Sequence, residues 1–198
     1  MPTLKEMVAK YKIEPNANGN TKVVTEEFRC SYAFVWEPWA DKEEPEKSKY
    51  SIQLIFKKND EKALKVLIQA AANAAAKKFG SLANWPKFNH NTFKLAVEEN
   101  ESTEAYYKDT VVFNARSKNK PGIVGPDAAP LLDQNDFYSG CIARASITAF
   151  GYDAAKNKGV SFGLNNLMKV RDDDRLDGGA SAEDDFGDYA KPADEDGF

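Results

Sequence analysis

From Phe137 to Tyr152 the residues change character at every step: Cys141, Ala143, Ala145, Ile147 and Ala149 are small or apolar, while Arg144, Ser146, Thr148, Phe150 and Tyr152 are polar or aromatic. A period of two sends alternate side chains to opposite faces of a strand. This run therefore predicts a long strand with one face turned inward and the other open to a ligand. The same period recurs in Thr21–Pro38, where Phe28, Cys30, Tyr32, Phe34 and Trp36 share one parity and Arg29, Ser31, Ala33 and Val35 the other. It recurs again where Tyr50, Ile52, Leu54 and Phe56 oppose Ser51, Gln53 and Lys57, and in Tyr106–Ala115 and Val160–Leu164. The first two runs, joined by the charged loop Trp39–Lys49, predict an antiparallel hairpin.

One segment follows a different period. Leu64, Leu67, Ile68, Ala71, Ala75 and Phe79 recur at helical spacing, with Asn59-Asp60 supplying cap chemistry before them and Gly80 after them. Five or six strands with a single helix inserted among them predict a mainly β fold, an OB-type antiparallel barrel, with a β-sandwich as the competing architecture. Residues 1–20, a short amphipathic run and then Pro15-Asn16-Ala17-Asn18-Gly19-Asn20, read as a flexible arm. Burial is expected for Phe28, Phe34, Phe56, Phe113 and Phe162.

The end of the chain has a composition that cannot fold by itself. Residues 172–198 carry eleven acidic and two basic side chains, a net −9, which leaves 25 basic and 20 acidic residues, or +5, in the rest. So few apolar groups under so much like charge predict a disordered tail. A basic body joined to its own polyanion invites competition with another polyanion for the same Lys and Arg charges, and nucleic acid is the evident competitor. The closing Asp194-Glu195-Asp196-Gly197-Phe198 puts a ring and a carboxylate behind three acidic side chains, a pattern suited to a pocket with an apolar floor and a basic rim.

Catalytic chemistry finds little material. The one histidine, His90, lies between asparagines in a turn-like segment, where solvent exposure or a backbone hydrogen bond is the ordinary fate of such a side chain. Cys30 and Cys141, far apart and both in strand-like runs, read as reduced, buried packing residues. With one histidine they cannot supply a tetrahedral zinc site. Asp172-Asp173-Asp174 with Asp177-Gly178 fails as a calcium loop because Leu176 takes the third ligand position. No catalytic centre, metal site or cofactor is expected. No apolar run approaches 18 residues, and Met1-Pro2-Thr3-Leu4-Lys5 lacks the apolar stretch of a signal peptide, so a cytoplasmic protein without membrane partners is expected.

Binding is better served. Recognition of single strands without regard to sequence combines cations along the phosphates with exposed rings on which bases stack. The candidates are Arg144, Phe150 and Tyr152 on one strand face, the basic turn Arg116, Lys118 and Lys120, the hairpin lysines Lys156 and Lys158, and the pair Trp36 and Trp39 around Pro38.

These residues also carry a likeness. Ser31-Tyr32-Ala33-Phe34-Val35-Trp36-Glu37-Pro38, a charged loop, Lys49-Tyr50-Ser51-Ile52-Gln53-Leu54-Ile55 and Lys58-Asn59-Asp60 before a helix resemble phage-encoded single-stranded DNA-binding proteins with an OB fold. The acidic end closing on Phe198 is similar to the Phe-ended tails of the replication and recombination members of that group, and Asn114–Lys118 through Pro121-Gly122, Phe137–Cys141 and Gly163–Asn166 look like a related phage family of the same kind. The resemblance implies sequence-nonspecific binding of single-stranded DNA by residues 21–171. It also implies a tail, residues 172–198, that shields the groove and contacts a polymerase, helicase or recombinase through Asp194, Glu195, Asp196 and Phe198. Tail-mediated homodimerisation is left open by a tail shorter and less acidic than the best-known examples. The rival reading is a protein-interaction scaffold with an acidic tail and no DNA role.

Overall fold

The alternating runs pair into a ring. The computed structural model describes residues 3–40, 44–86, 94–95, 105–154 and 157–176. Its strands are β1 (Lys22–Val24), β2 (Phe28–Trp39), β3 (Lys49–Lys57), β4 (Lys94–Leu95), β5 (Thr110–Ser117), β6 (Gly122–Val124), β7 (Ile142–Ala154) and β8 (Asn157–Arg171). β2 pairs antiparallel with β3, β3 with β5, β8 with β7 and β7 with β2, while β5 meets β8 in parallel. The circuit β2-β3-β5-β8-β7-β2 is a closed five-stranded barrel of the OB type. An entirely antiparallel barrel was the expectation. The β5–β8 contact is parallel because a long excursion, not a hairpin, joins the two strands. Three short strands extend the ring: β1 on β7, β4 on β5 and, in parallel, β6 on β8.

Four rings from four strands run through the interior. Phe28 meets Phe56 at 5.7 Å between centroids, Phe56 meets Phe113 at 5.8 Å, and Phe113 meets Phe162 at 5.9 Å, the last two edge to face. Edge-to-face pairs place the positive rim of one ring on the negative face of the next, which adds to the area they bury. Cys30 and Cys141 are free and buried, with their sulfurs 3.5 Å apart. The bond to Cys141, followed by burial, pushes the Cys30 thiol well above the ordinary range, which suits a packing residue.

The inserted helix α2 (Glu61–Phe79) begins where the cap chemistry predicts, with the Asp60 carboxylate accepting from the Ala63 N–H at 3.1 Å, and ends at Gly80. Its middle, Ala70–Ala76, is buried on every side. The first residues supply part of that cover. A second helix, α1 (Leu4–Lys10), starts with a capping box in which Thr3 and Glu6 satisfy each other's backbone N–H groups. Seven residues do not hold a helix in water unaided. Burial of Leu4, Met7 and Val8, each side chain contributing about 1.5–3 kcal/mol, fixes this one. The segment that reads as a loose linker is fastened as well: buried Asn73 accepts from the Asn16 N–H and donates to the Asn20 carbonyl, both at 2.9 Å. A Cβ at Gly19 would lie 2.4 Å from the Asn73 amide nitrogen, so only glycine fits under that clasp. Residues 3–20 are therefore not a flexible arm; the short amphipathic run has an apolar face that α2 covers. No helix among the described residues is long and apolar enough to cross a membrane.

Candidate nucleic-acid interface

The outward positions of the barrel strands form two adjoining clefts. Lys49, Asn114, Arg116, Ser117, Lys118, Phe150, Tyr152, Asn157 and Ser161 surround one of about 560 Å3, with buried Phe162 at its floor. Tyr32, Phe34, Trp39, Lys47, Ser51 and Gln53 surround the other, of about 500 Å3. Lys49, Asn114 and Arg116 border both and join them. Strand geometry explains the grouping. Ser51 faces Arg116 across β3 and β5, Arg116 faces Gly163 across β5 and β8, and Ser51 faces Phe34 across β3 and β2.

Charge distinguishes this surface from the rest of the barrel. Among the described residues, no acidic side chain lines either cleft. Among the described residues, Lys49, Arg116 and Lys118 take part in no ion pair, and Lys47 alone of the cleft cations is held, by Glu44. Tyr32 is 60% exposed, Trp39 53% and Phe150 47%, so three large rings stand in solvent beside these cations. Rings with open faces and cations without carboxylates can accept bases and phosphates together.

The sequence candidates divide. Trp39, Arg116, Lys118, Phe150 and Tyr152 come together in the two clefts. Arg144 does not join them: its guanidinium donates to the Thr25 carbonyl at 3.2 Å and pairs with Glu26 and Glu27, each at 3.5 Å. The same acids take Lys62 and Arg171, whose hydrogen bonds are the largest causes holding the Glu26 and Glu27 carboxyls below their ordinary range. Trp36 and Lys120 meet each other instead, the ammonium 5.4 Å from the ring centre, in a separate hollow with Leu132 and Asp133. The Trp36 indole N–H is already committed to the Phe137 carbonyl at 3.0 Å. Lys158 pairs with Asp153 at 2.9 Å in the β7–β8 hairpin. Lys156, His90, Asp194, Glu195, Asp196 and Phe198 lie outside the described residues.

Among the cleft residues that the sequence reading does not single out are Tyr32, Phe34, Lys47 and Lys49. Strict alternation sends Tyr32 and Phe34 inward with Phe28. The structure buries Phe28 but leaves Phe34 half-exposed, because the β2–β3 register shifts between Ser31 and Phe34. Alternation alone carries no sign of that slip. Lys49, at the end of the charged loop and beside a strand of known parity, was available as a signal.

The first residues of the acidic segment are docked on the barrel. The Tyr138 hydroxyl donates to the Asp172 carboxylate at 2.7 Å, Lys169 pairs with the same carboxylate at 2.7 Å, and the Leu176 N–H donates to the Ser139 carbonyl at 2.8 Å. Arg29 donates to the Asp174 carbonyl at 2.9 Å, and the Arg175 guanidinium lies 4.0 Å from the Tyr138 ring centre. Gly140 permits this seat. Its φ is +120°, and a Cβ there would lie 2.1 Å from the Asp174 carbonyl oxygen. The hydrogen bond from Lys169, then that from Tyr138, lowers the Asp172 carboxyl below its ordinary range, while burial first and Asp172 second push Tyr138 up to about 12. Asp172–Leu176, expected to belong to a disordered tail, thus form a clasp, and the docking rests on Tyr138, Gly140 and Arg29, all remote in sequence.

Residues 21–197 match the family described as Enterobacter phage Enc34, ssDNA-binding protein. A 95-residue stretch is 32% identical to "Putative protein p50" of Acyrthosiphon pisum secondary endosymbiont phage 1, covering 48% of this chain and 50% of that protein. The chain thus spans about half the length of that curated relative. The solved structure of the single-stranded DNA-binding protein from bacteriophage Enc34 in complex with ssDNA is similar with a TM-score of 0.65 and 20% identity, over 79% of this chain and 89% of that one. gp2.5, a single-stranded DNA binding protein encoded by bacteriophage T7, is similar with a TM-score of 0.54 and 12% identity, over 82% and 98%. At these identities the two structures show a shared fold.

Proposed function

The chain belongs to the family of the phage Enc34 single-stranded DNA-binding protein, and from that membership we propose that it binds single-stranded DNA, without sequence preference, along the paired clefts of its barrel. The observation that carries this reading is the lining, without acids among the described residues, in which Lys47, Lys49, Arg116 and Lys118 stand among exposed rings. Bases stack on Phe150, Tyr152 and Trp39, and the cations follow the phosphates. The protein acts as a binding protein in phage DNA replication or recombination, in the host-cell cytoplasm, and not as an enzyme.

The acidic end is the second part of the proposal. Residues 177–198 can reach across at most about 75 Å when extended, ample for a chain leaving the Tyr138 clasp to reach the clefts. It competes there with DNA and is displaced by it. The freed Asp194, Glu195, Asp196 and Phe198 then engage a polymerase, helicase or recombinase, or a second copy of the chain.

Titration of a labelled oligothymidylate with the full chain and with residues 1–176, at several salt concentrations, tests both parts. Four phosphates neutralised predict a log–log salt slope of about −2.8. The shortened chain should bind more tightly. No binding by either chain would end the DNA reading, and weaker binding by the shortened chain would end the competition.

A further inference from the structure

Tyr32 has φ +46°, in the left-handed region that a bulky L residue avoids. Its place in β2 explains how this arises. Ser31 faces Gln53 and Phe34 faces Ser51, three steps on β2 against two on β3, so one residue is extra and the strand bulges. Before the bulge Cys30 and Ser31 are both buried; after it Val35 is buried; between them the Tyr32 side chain is turned out.

The bulge is built and held. The Ala33 N–H donates to the Ser139 hydroxyl at 3.1 Å, the Ser31 hydroxyl bonds the Tyr107 hydroxyl at 3.2 Å, and Tyr107 in turn donates to the Gln53 side chain. Glycine would adopt this backbone without strain. The ring is therefore not there for the backbone, and at 60% exposure it is not there for the core. It lines the same cleft as Phe34, Trp39, Lys47 and Lys49.

We infer that the β2 bulge presents the Tyr32 ring as a stacking platform for an unpaired nucleobase, adding a base-binding position on β2 to the strand path along the two clefts. The inference rests on the DNA-binding reading above and extends it. From Phe150 on β7 the path crosses β8, β5 and β3 to reach β2, four strand spacings or about 19 Å. Lys49 and Arg116, which border both clefts, carry the intervening phosphates.

Tyr32→Gly separates the ring from the fold, since it removes the platform while easing the backbone. The variants Tyr32→Gly, Tyr32→Phe and Phe150→Ala are compared with the unaltered chain for melting temperature and for affinity towards a 20-nucleotide oligothymidylate. Tyr32→Gly is expected to melt no lower than the unaltered chain and to bind roughly 5- to 150-fold more weakly, the range for loss of one stacked base. Tyr32→Phe, which keeps the stacking face, is expected to recover most of that loss. Full affinity in Tyr32→Gly alongside weakened Phe150→Ala would overturn the Tyr32 platform and leave the groove reading standing. Absence of binding by the unaltered chain would overturn both.

Discussion

The Ser139 hydroxyl accepts the Ala33 N–H at 3.1 Å, on the residue that follows Tyr32 in the β2 bulge. The carbonyl of the same Ser139 accepts the Leu176 N–H at 2.8 Å. One residue thus secures the backbone behind an exposed ring and the root of the acidic end. Ser139→Ala strips the acceptor from the half-buried Ala33 N–H, a loss of about 1–2 kcal/mol. Urea unfolding should show that decrease, and oligothymidylate affinity should fall with it because the bulge loses its support. An unchanged midpoint would mean that the bulge holds without Ser139.

Arg144 and Arg116 carry the same charge into different surroundings, and their removal should differ in kind. Arg144→Ala leaves Glu26 and Glu27 with fewer partners and should lower stability with little change in DNA affinity. Arg116→Ala removes a cation bordering both clefts and should weaken binding and flatten the salt slope by about 0.7. Denaturation and salt-titrated binding of the two variants check the contrast. Equal loss of affinity in both would place Arg144 on the DNA path.

Phe150 and Tyr152 share a cleft but not a degree of commitment to the fold. Tyr152 faces Gly159 across the hairpin, close enough that a Cβ on Gly159 would lie 2.8 Å from the Tyr152 hydroxyl oxygen. Phe150 is 47% exposed. Phe150→Ala should therefore cost about 1–3 kcal/mol of DNA affinity and almost no stability, whereas Tyr152→Ala should cost both. Calorimetric melting beside binding separates the two; a large fall in melting temperature for Phe150→Ala would return that ring to a structural role.

The clasp on the acidic segment should weaken in acid. Asp172 has its carboxyl held below the ordinary 3.8 by Lys169 and Tyr138, so the folded state favours the ionised form. That contribution is complete above the unfolded value and is lost as pH falls through the folded one. The stability gap between the unaltered chain and Asp172→Asn should be constant near neutrality and close below about pH 4. Denaturant unfolding from pH 7 downwards measures it, and a gap indifferent to pH would remove Asp172 from the clasp.

The legible parts of the fold share a physical cause. The alternation of β7 is readable because its irregularities sit on the partner strand: Ile142 and Ala143 face Arg171 and Lys169, and Ser146 and Ile147 face Asn166 and Leu164, so both extra residues are on β8. In β2 the extra residues are on the strand itself, one between Ser31 and Phe34 and more between Phe34 and Trp39, and parity inverts beyond Ser31 without any trace in the residue types. Arg144 and Phe150 do lie on one face of β7, as expected, but six residues extend over about 20 Å. Shared parity does not bring shared surroundings. The Thr3–Glu6 capping box was present in the sequence as a helix signal, whereas the burial of α1 depends on α2, which only the tertiary fold supplies.

Photocrosslinking of an oligonucleotide carrying 5-bromouracil, followed by mass spectrometry of the adducts, asks directly where an unpaired strand lies on the barrel. The account predicts adducts on Phe150, Tyr152, Tyr32 and Trp39. Adducts confined to the Trp36–Leu132 hollow or to the surface around Arg144 and Arg171 would contradict it.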